Sequence, residues 1–156
     1  MSTLQIKDLT FIPYISEAEL LQAIDRIAQR INADYQGKEV LFVGVLNGVF
    51  MFASDLMKRV DLTCQISFVK VSSYQGTQST EAVNQLFGLT ESIEGKHVII
   101  LEDIVDTGLT IEGLYHDLMK QKPASLEICT LLFKPDKYQK SVPIKYFAKT
   151  SGNAFV

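Results

Sequence analysis

The sequence is poor in cysteine, with Cys64 and Cys129 the only two in 156 residues. Both sit in apolar, strand-like runs. They are expected to be buried thiols rather than a disulfide, which suits a reducing compartment. An excess of positive charge is also missing. Fifteen Lys and Arg stand against eighteen Asp and Glu, for a net charge of −3, so the charge balance gives no reason to expect nucleic-acid or membrane affinity. No stretch approaches the ~18 apolar residues of a membrane span. The N-terminal MSTLQIKDLTF lacks the basic segment and apolar run of a secretory signal. His97 and His116 have no metal-ligand spacing with each other or with cysteine, and are expected to be structural or surface residues. The expectation from these absences is a soluble cytoplasmic protein with no nucleic acid and no membrane among its partners.

What is present is ordinary globular material, 47% hydrophobic and 21% charged, enough for one domain with a real core. SEAELLQAIDRIAQRINADY opens with Ser16 and Glu19 in capping-box spacing. Leu20, Ala23, Ile24, Ile27, Ala28 and Ile31 then form a stripe at helical spacing. VLFVGVL is continuously apolar, as a strand covered on both faces must be. FMFASDLMKRV reads as a helix, CQISFVKVSSY as a strand, KHVIILEDI as a strand, TIEGLYHDLMKQ as a helix and SLEICTLLFK as a strand. There is no internal repeat and no linker marking a second domain. Strands alternating with helices predict an α/β fold, an open, mostly parallel twisted sheet flanked by helices. In such sheets ligands sit beyond the carboxyl ends of the strands. LNG, EDIVDTG and FKPD all follow predicted strand ends, which places a site there.

The segment VIILEDIVDTGLT, residues 98 to 110, crowds Glu102, Asp103 and Asp106 onto the end of an apolar strand. Like charges so close repel and resist desolvation, at several kcal/mol per unpaired buried ion. Asp, Thr and Gly are common turn formers, so a solvated loop is the plain alternative. The surroundings favour a ligand. Thr107, Gly108, Leu109 and Thr110 open a predicted helix, whose free N–H groups and dipole favour phosphate, and Gly108 permits close backbone approach. Glu102 and Asp103 can accept hydrogen bonds from a diol, as the acid of a dinucleotide fold does from ribose. A phosphate cradle beside diol-binding acids describes a ribose 5-phosphate, with Mg²⁺ and solvent helping to compensate the charge.

VIILEDIVDTGLT resembles the phosphoribosyl-pyrophosphate (PRPP) signature of type I phosphoribosyltransferases. Other segments are similar to the hypoxanthine-guanine branch: VGVLNGVFMFASDL to its pyrophosphate loop, KVSSYQGTQST to its mobile loop, and LLFKPDKY to the strand end carrying its purine-contacting lysine. The resemblance covers roughly residues 10 to 156. It implies transfer of the 5-phosphoribosyl group from PRPP to N9 of hypoxanthine or guanine, giving IMP or GMP and pyrophosphate, with Mg²⁺ as cofactor. By position it implies that Glu102 and Asp103 bind the ribose hydroxyls and lie near the metal. Asp106 would be the general base near purine N7, and residues 107 to 110 would hold the 5′-phosphate. Leu46, Asn47 and Gly48 would form the pyrophosphate loop, with a cis peptide between Leu46 and Asn47. Ser73 and Tyr74 fall in the lid loop. Lys134 would donate to the purine 6-oxo group, Phe155 would stack on the purine, and Val156 would read the base edge through backbone groups. The family forms dimers and tetramers, so a homo-oligomer is expected.

The family continues with a strand bearing a metal-binding Asp and, beyond it, an Arg that meets pyrophosphate. This sequence stops at SGNAFV, so the expectation is a single domain over residues 1 to 156, short at its C-terminus. The polar segment from Ser72 to Gln85 is expected to be a mobile flap, because it cannot bury enough apolar area to offset the entropy of ordering.

Other readings fare worse. In aspartic proteases Asp-Thr-Gly belongs to an all-β fold in which two copies meet; here a helical pattern follows and there is one copy. Phosphoacceptor receiver domains carry their acids on the first strand. A regulator with the phosphoribosyltransferase fold, binding nucleotide and RNA, would need a basic face that this acidic chain shows no sign of.

Overall fold

The structure is a computed structural model, and it describes residues 2–72, 85–152 and 156. Its first strands, β1 (Leu4–Ile6) and β2 (Leu9–Phe11), pair as a small antiparallel hairpin separate from the main sheet. Helix α1 (Glu17–Asp34) starts where the sequence places it. The Ser16 hydroxyl accepts from the Glu19 N–H at 3.2 Å, and the Glu19 carboxylate accepts from the Ser16 N–H at 3.0 Å. This reciprocal pair satisfies two donors that the first turn leaves free.

Then follow β3 (Val40–Val45), α2 (Phe50–Met57), β4 (Cys64–Ser72), β5 (Gln85–Phe87), β6 (His97–Val105), α3 (Leu109–Met119), β7 (Ser125–Phe133) and β8 (Tyr146–Thr150). Six strands form one sheet in the order β5-β4-β3-β6-β7-β8. The pairs β3–β4, β3–β6, β6–β7 and β7–β8 are parallel; β4–β5 alone is antiparallel.

Every residue of β3 is buried, and its alternating side chains enter two cores. Val40 and Phe42 join Ile24, Ile27 and Ile31 of α1 and Phe52 and Leu56 of α2 on one face. Leu41, Val43 and Val45 join Ile111, Leu114 and Leu118 of α3 on the other. Continuous apolar runs are what a strand covered by helices on both faces requires. At roughly 1.5–3 kcal/mol per fully buried aliphatic side chain, these two layers hold the sheet.

Cys129 is fully buried and Cys64 only half-buried, both free thiols. His97 packs its ring edge against Tyr35 and shares a 2.7 Å hydrogen bond with the Ser125 hydroxyl, and His116 stands exposed on α3. No helix among the described residues is long and apolar enough to cross a membrane.

Candidate active site

The parallel register brings the strand ends to one edge. Val45 of β3 lies beside Val69 of β4, Val105 of β6 beside Phe133 of β7, and Phe133 beside Thr150 of β8. The segments that follow β3, β6 and β7 therefore emerge together. Asp106 and Lys134 each stand one residue beyond a paired position. The Lys134 N–H continues the ladder to the Val105 carbonyl at 3.0 Å, and Lys134 Nζ lies 3.9 Å from Asp106 Oδ2. Lys134 is only 6% exposed, an unusual burial for lysine outside an ion pair or site. The other Asp106 oxygen, Oδ1, is buried with no hydrogen-bond partner among the described residues. Such an atom costs free energy unless a ligand or water meets it.

Glu102 and Asp103 are the last turn of the pleat before this pair. Glu102 is 9% exposed and its Oε1 accepts the Asp103 N–H at 3.1 Å, while Asp103 Oδ1 accepts the Ile104 N–H at 2.8 Å. Burial, reinforced by a hydrogen bond to and repulsion from Asp103, pushes the Glu102 carboxyl up from its ordinary 4.5 to about 9. The loop after β3 folds directly over these acids. Its Leu46–Asn47 peptide is cis, and a β-carbon on Gly48 would lie 2.1 Å from Asp103 Oδ2. No other residue type fits at position 48 without displacing the acid.

The chain then turns through Thr107 into α3. Gly108 is the N-cap with φ +88°, a region that penalises any side chain, and a β-carbon there would also strike the Tyr138 ring at 2.5 Å. Residues Ile104 to Ile111 line a hollow of about 120 Å³ at this helix start. Free N–H groups and the positive end of the helix dipole favour negative charge at such a helix start. Larger hollows open at the opposite, amino-terminal edge of the sheet, one of about 350 Å³ bounded by Lys38, Gln65, Lys96 and His97 among others. No strand-end acids gather there. Among the described residues no group of three or more His, Cys, Asp or Glu is arranged to hold a metal ion.

The structure thus gathers Leu46, Asn47, Gly48, Glu102, Asp103, Asp106, Thr107, Gly108, Leu109, Thr110 and Lys134 at one sheet edge. Val156 is exposed. Ser73, Tyr74 and Phe155 lie outside the described residues, as does most of the flap expected between Ser72 and Gln85. Sequence reasoning missed Tyr138, Lys140 and Glu112, which surround the Gly108 turn. The Gln139 N–H donates to the Thr107 carbonyl at 3.2 Å, the Tyr138 ring covers Gly108, and Lys140 Nζ meets Glu112 Oε2 at 2.8 Å. The sequence signal for Tyr138 and Lys140 is the cluster of polar and cationic residues directly after Lys134, and Glu112 gives none.

Comparison with known proteins agrees with this fold. The phosphoribosyl transferase domain model matches residues 15–155. Hypoxanthine-guanine phosphoribosyltransferase of Staphylococcus aureus is 41% identical over 91% of this chain and 80% of its own length; that of Staphylococcus epidermidis is 40% identical over 96% and 84%. The crystal structure of a hypoxanthine-guanine phosphoribosyltransferase from Bacillus anthracis superposes with a TM-score of 0.80, at 32% identity, covering 91% of this chain and 82% of that one. The chain belongs to the phosphoribosyl transferase domain family.

Proposed function

We propose that this protein is a purine-salvage transferase that moves the 5-phosphoribosyl group from PRPP to N9 of hypoxanthine, and of guanine, releasing pyrophosphate and giving IMP or GMP. The observation that carries the reading is the Asp106–Lys134 pair at the aligned ends of β6 and β7, flanked by the buried acids and the anion hollow.

The roles at the strand ends and the helix start follow from local chemistry, and those of Ser73, Tyr74, Phe155 and Val156 from the family resemblance. The N–H groups and hydroxyls of residues 107 to 110 hold the 5′-phosphate. Glu102 and Asp103 accept from the ribose diol, and Leu46, Asn47 and Gly48 present backbone groups to pyrophosphate directly above Asp103. Lys134, a pure donor, faces the purine 6-oxo oxygen and disfavours the 6-amino group of adenine. Asp106 is the general base, taking the proton from purine N7 as N9 forms its bond to ribose C1 and the C1–O bond to pyrophosphate breaks. Ser73 and Tyr74 belong to the lid that excludes water from an oxocarbenium-like C1. Phe155 stacks on the purine, and the backbone of Val156 reads its edge.

Glu102 and Asp103 also suit Mg²⁺. A buried carboxyl driven to about 9 by burial and by its neighbour is relieved by a cation. Mg²⁺ commonly takes one or two carboxylates and completes its shell with water and phosphate oxygens, so a site with two protein acids fits. When bound, the ion would neutralise charge developing on the leaving pyrophosphate. Residues 1–156 act as a single transferase domain in this reading. The protein acts as a homo-oligomer, and the location is the cytoplasm.

The test is product identification. Hypoxanthine, PRPP and Mg²⁺ should give IMP and pyrophosphate in equal amounts, detected by mass and by coupled pyrophosphate assay. Tight nucleotide or RNA binding with no turnover would instead make the chain a regulator on the same fold.

A further inference from the structure

Among the described residues, those lining the phosphate hollow include no Lys or Arg. Thr107, Gly108, Leu109 and Thr110 offer hydroxyls and N–H groups, while Glu102, Asp103, Asp106 and Glu112 bring negative charge to the same edge. A phosphate dianion entering there meets repulsion that the helix dipole and Lys134, 3.9 Å from Asp106 Oδ2, must offset. Glu112 is the nearest acid along α3: its N–H bonds to the Gly108 carbonyl at 2.9 Å, and it lies in the helix's first turn.

Lys140 lies against this turn. Its Cγ is 2.9 Å from where a β-carbon of Gly108 would be, so the lysine stem runs over the loop itself. Its ammonium reaches Glu112 Oε2 at 2.8 Å, with side chains 22% and 28% exposed. The other Glu112 oxygen is 3.9 Å from His116 Nε2. The segment carrying Lys140 is anchored to the loop through the Gln139 N–H on the Thr107 carbonyl and the Tyr138 ring on Gly108. It is also tied to itself by the Tyr138 hydroxyl, which donates to the Val142 carbonyl. Glu112 and Gly108 are about one turn apart, ~5.4 Å along the axis. The compact, rotatable ammonium of lysine can cover that distance by turning its side chain.

We infer that Lys140 is a donor-binding residue: Glu112 holds its ammonium beside the phosphate loop, and the ammonium transfers to the 5′-phosphate of PRPP when the donor binds. This rests on the transferase reading and adds to it a cation for the phosphate. A rigid clasp between strap and helix would use the same ion pair, but the two roles predict opposite effects of removing Glu112.

The experiment compares Lys140→Met, Lys140→Arg and Glu112→Gln with the wild type in steady-state kinetics and in calorimetric binding of ribose 5-phosphate. Lys140→Met should raise the KM for PRPP about tenfold, the worth of one hydrogen bond to a charged group. The kcat and the KM for hypoxanthine should not change, and Lys140→Arg should restore donor binding. Glu112→Gln should leave the PRPP KM equal or lower, because it frees the ammonium and removes a repelling charge. A rise in PRPP KM with Glu112→Gln that matches Lys140→Met would overturn the assignment in favour of the clasp. So would equal ribose 5-phosphate affinity for wild type and Lys140→Met. A wild type that binds neither ribose 5-phosphate nor PRPP would instead sink the transferase reading beneath it.

Discussion

Glu102→Gln should make the metal-free protein more stable while destroying its usefulness, and the size of the gain can be worked from the site. The Glu102 carboxyl ionises near 4.5 in an unfolded chain and is pushed to about 9 in the folded one, first by burial and then by its hydrogen bond to and repulsion from Asp103. Below pH 4.5 both states hold the proton and the group contributes nothing. Between 4.5 and 9 the unfolded chain has lost the proton while the folded one retains it, so stability falls as pH rises. The slope is about 1.4 kcal/mol per pH unit. Between pH 5 and pH 8 the wild type should therefore lose roughly 4 kcal/mol relative to a variant that cannot ionise there. Glutamine keeps the shape, can accept the Asp103 N–H as Glu102 Oε1 does at 3.1 Å, and carries no charge. Urea unfolding of both proteins in chelator across this range isolates the effect, since all other titrating groups are shared. Against a total stability of order 5–15 kcal/mol the divergence is large. Parallel stability curves for the two proteins would refute the reasoning.

Three further substitutions probe separate parts of the structure. Asp106→Asn should lower kcat by ~10²–10⁴ while PRPP still binds, the usual worth of a general base; a loss confined to donor affinity in steady-state kinetics would make Asp106 a binding group instead. Gly48→Ala puts a β-carbon within 2.1 Å of Asp103 Oδ2, so the acid or the loop must move. Pyrophosphate-release kinetics should show a fall in kcat/KM for PRPP of ~10-fold or more from such misplacement, and unaltered kinetics would show that the loop yields freely. Ser16→Ala should cost ~1 kcal/mol in denaturant unfolding through loss of the capping box, with activity at saturating substrate unchanged.

The parts of this fold legible in sequence are those whose physics is local. The capping box at Ser16 and Glu19, the Ile24–Ile27–Ile31 stripe, the unbroken apolar run of β3 and the apolar-rich runs of β6 and β7 each declare themselves within a few residues. The candidate site stands out in the sequence for the same reason: acids at the end of a buried strand and a glycine before a helix are an expensive combination without a ligand. The hairpin of β1 and β2 was not seen, because three-residue strands with mostly exposed side chains give no alternation to read. Strands β5 and β8 were missed likewise; β8 mixes buried Tyr146 with Lys149 and borrows its place from β7 and α1. Periodicity also says which face a residue occupies but not which strand lies alongside. The contacts of Tyr138 with Gly108 and of Lys140 with Glu112 join residues about thirty positions apart. They exist only because β6 and β7 pair in parallel with Val105 opposite Phe133.

The central claim is that a buried lysine donor facing an aspartate at the ends of two parallel strands directs phosphoribosyl transfer to 6-oxopurines. The most direct measurement is the ratio of kcat/KM for hypoxanthine to that for adenine, with PRPP and Mg²⁺ held constant. A donor at Lys134 satisfies the 6-oxo acceptor and is left opposed by a 6-amino group, so the ratio should be ~10³ or more, in line with sites built around a buried hydrogen bond. Comparable turnover of adenine and hypoxanthine would contradict it.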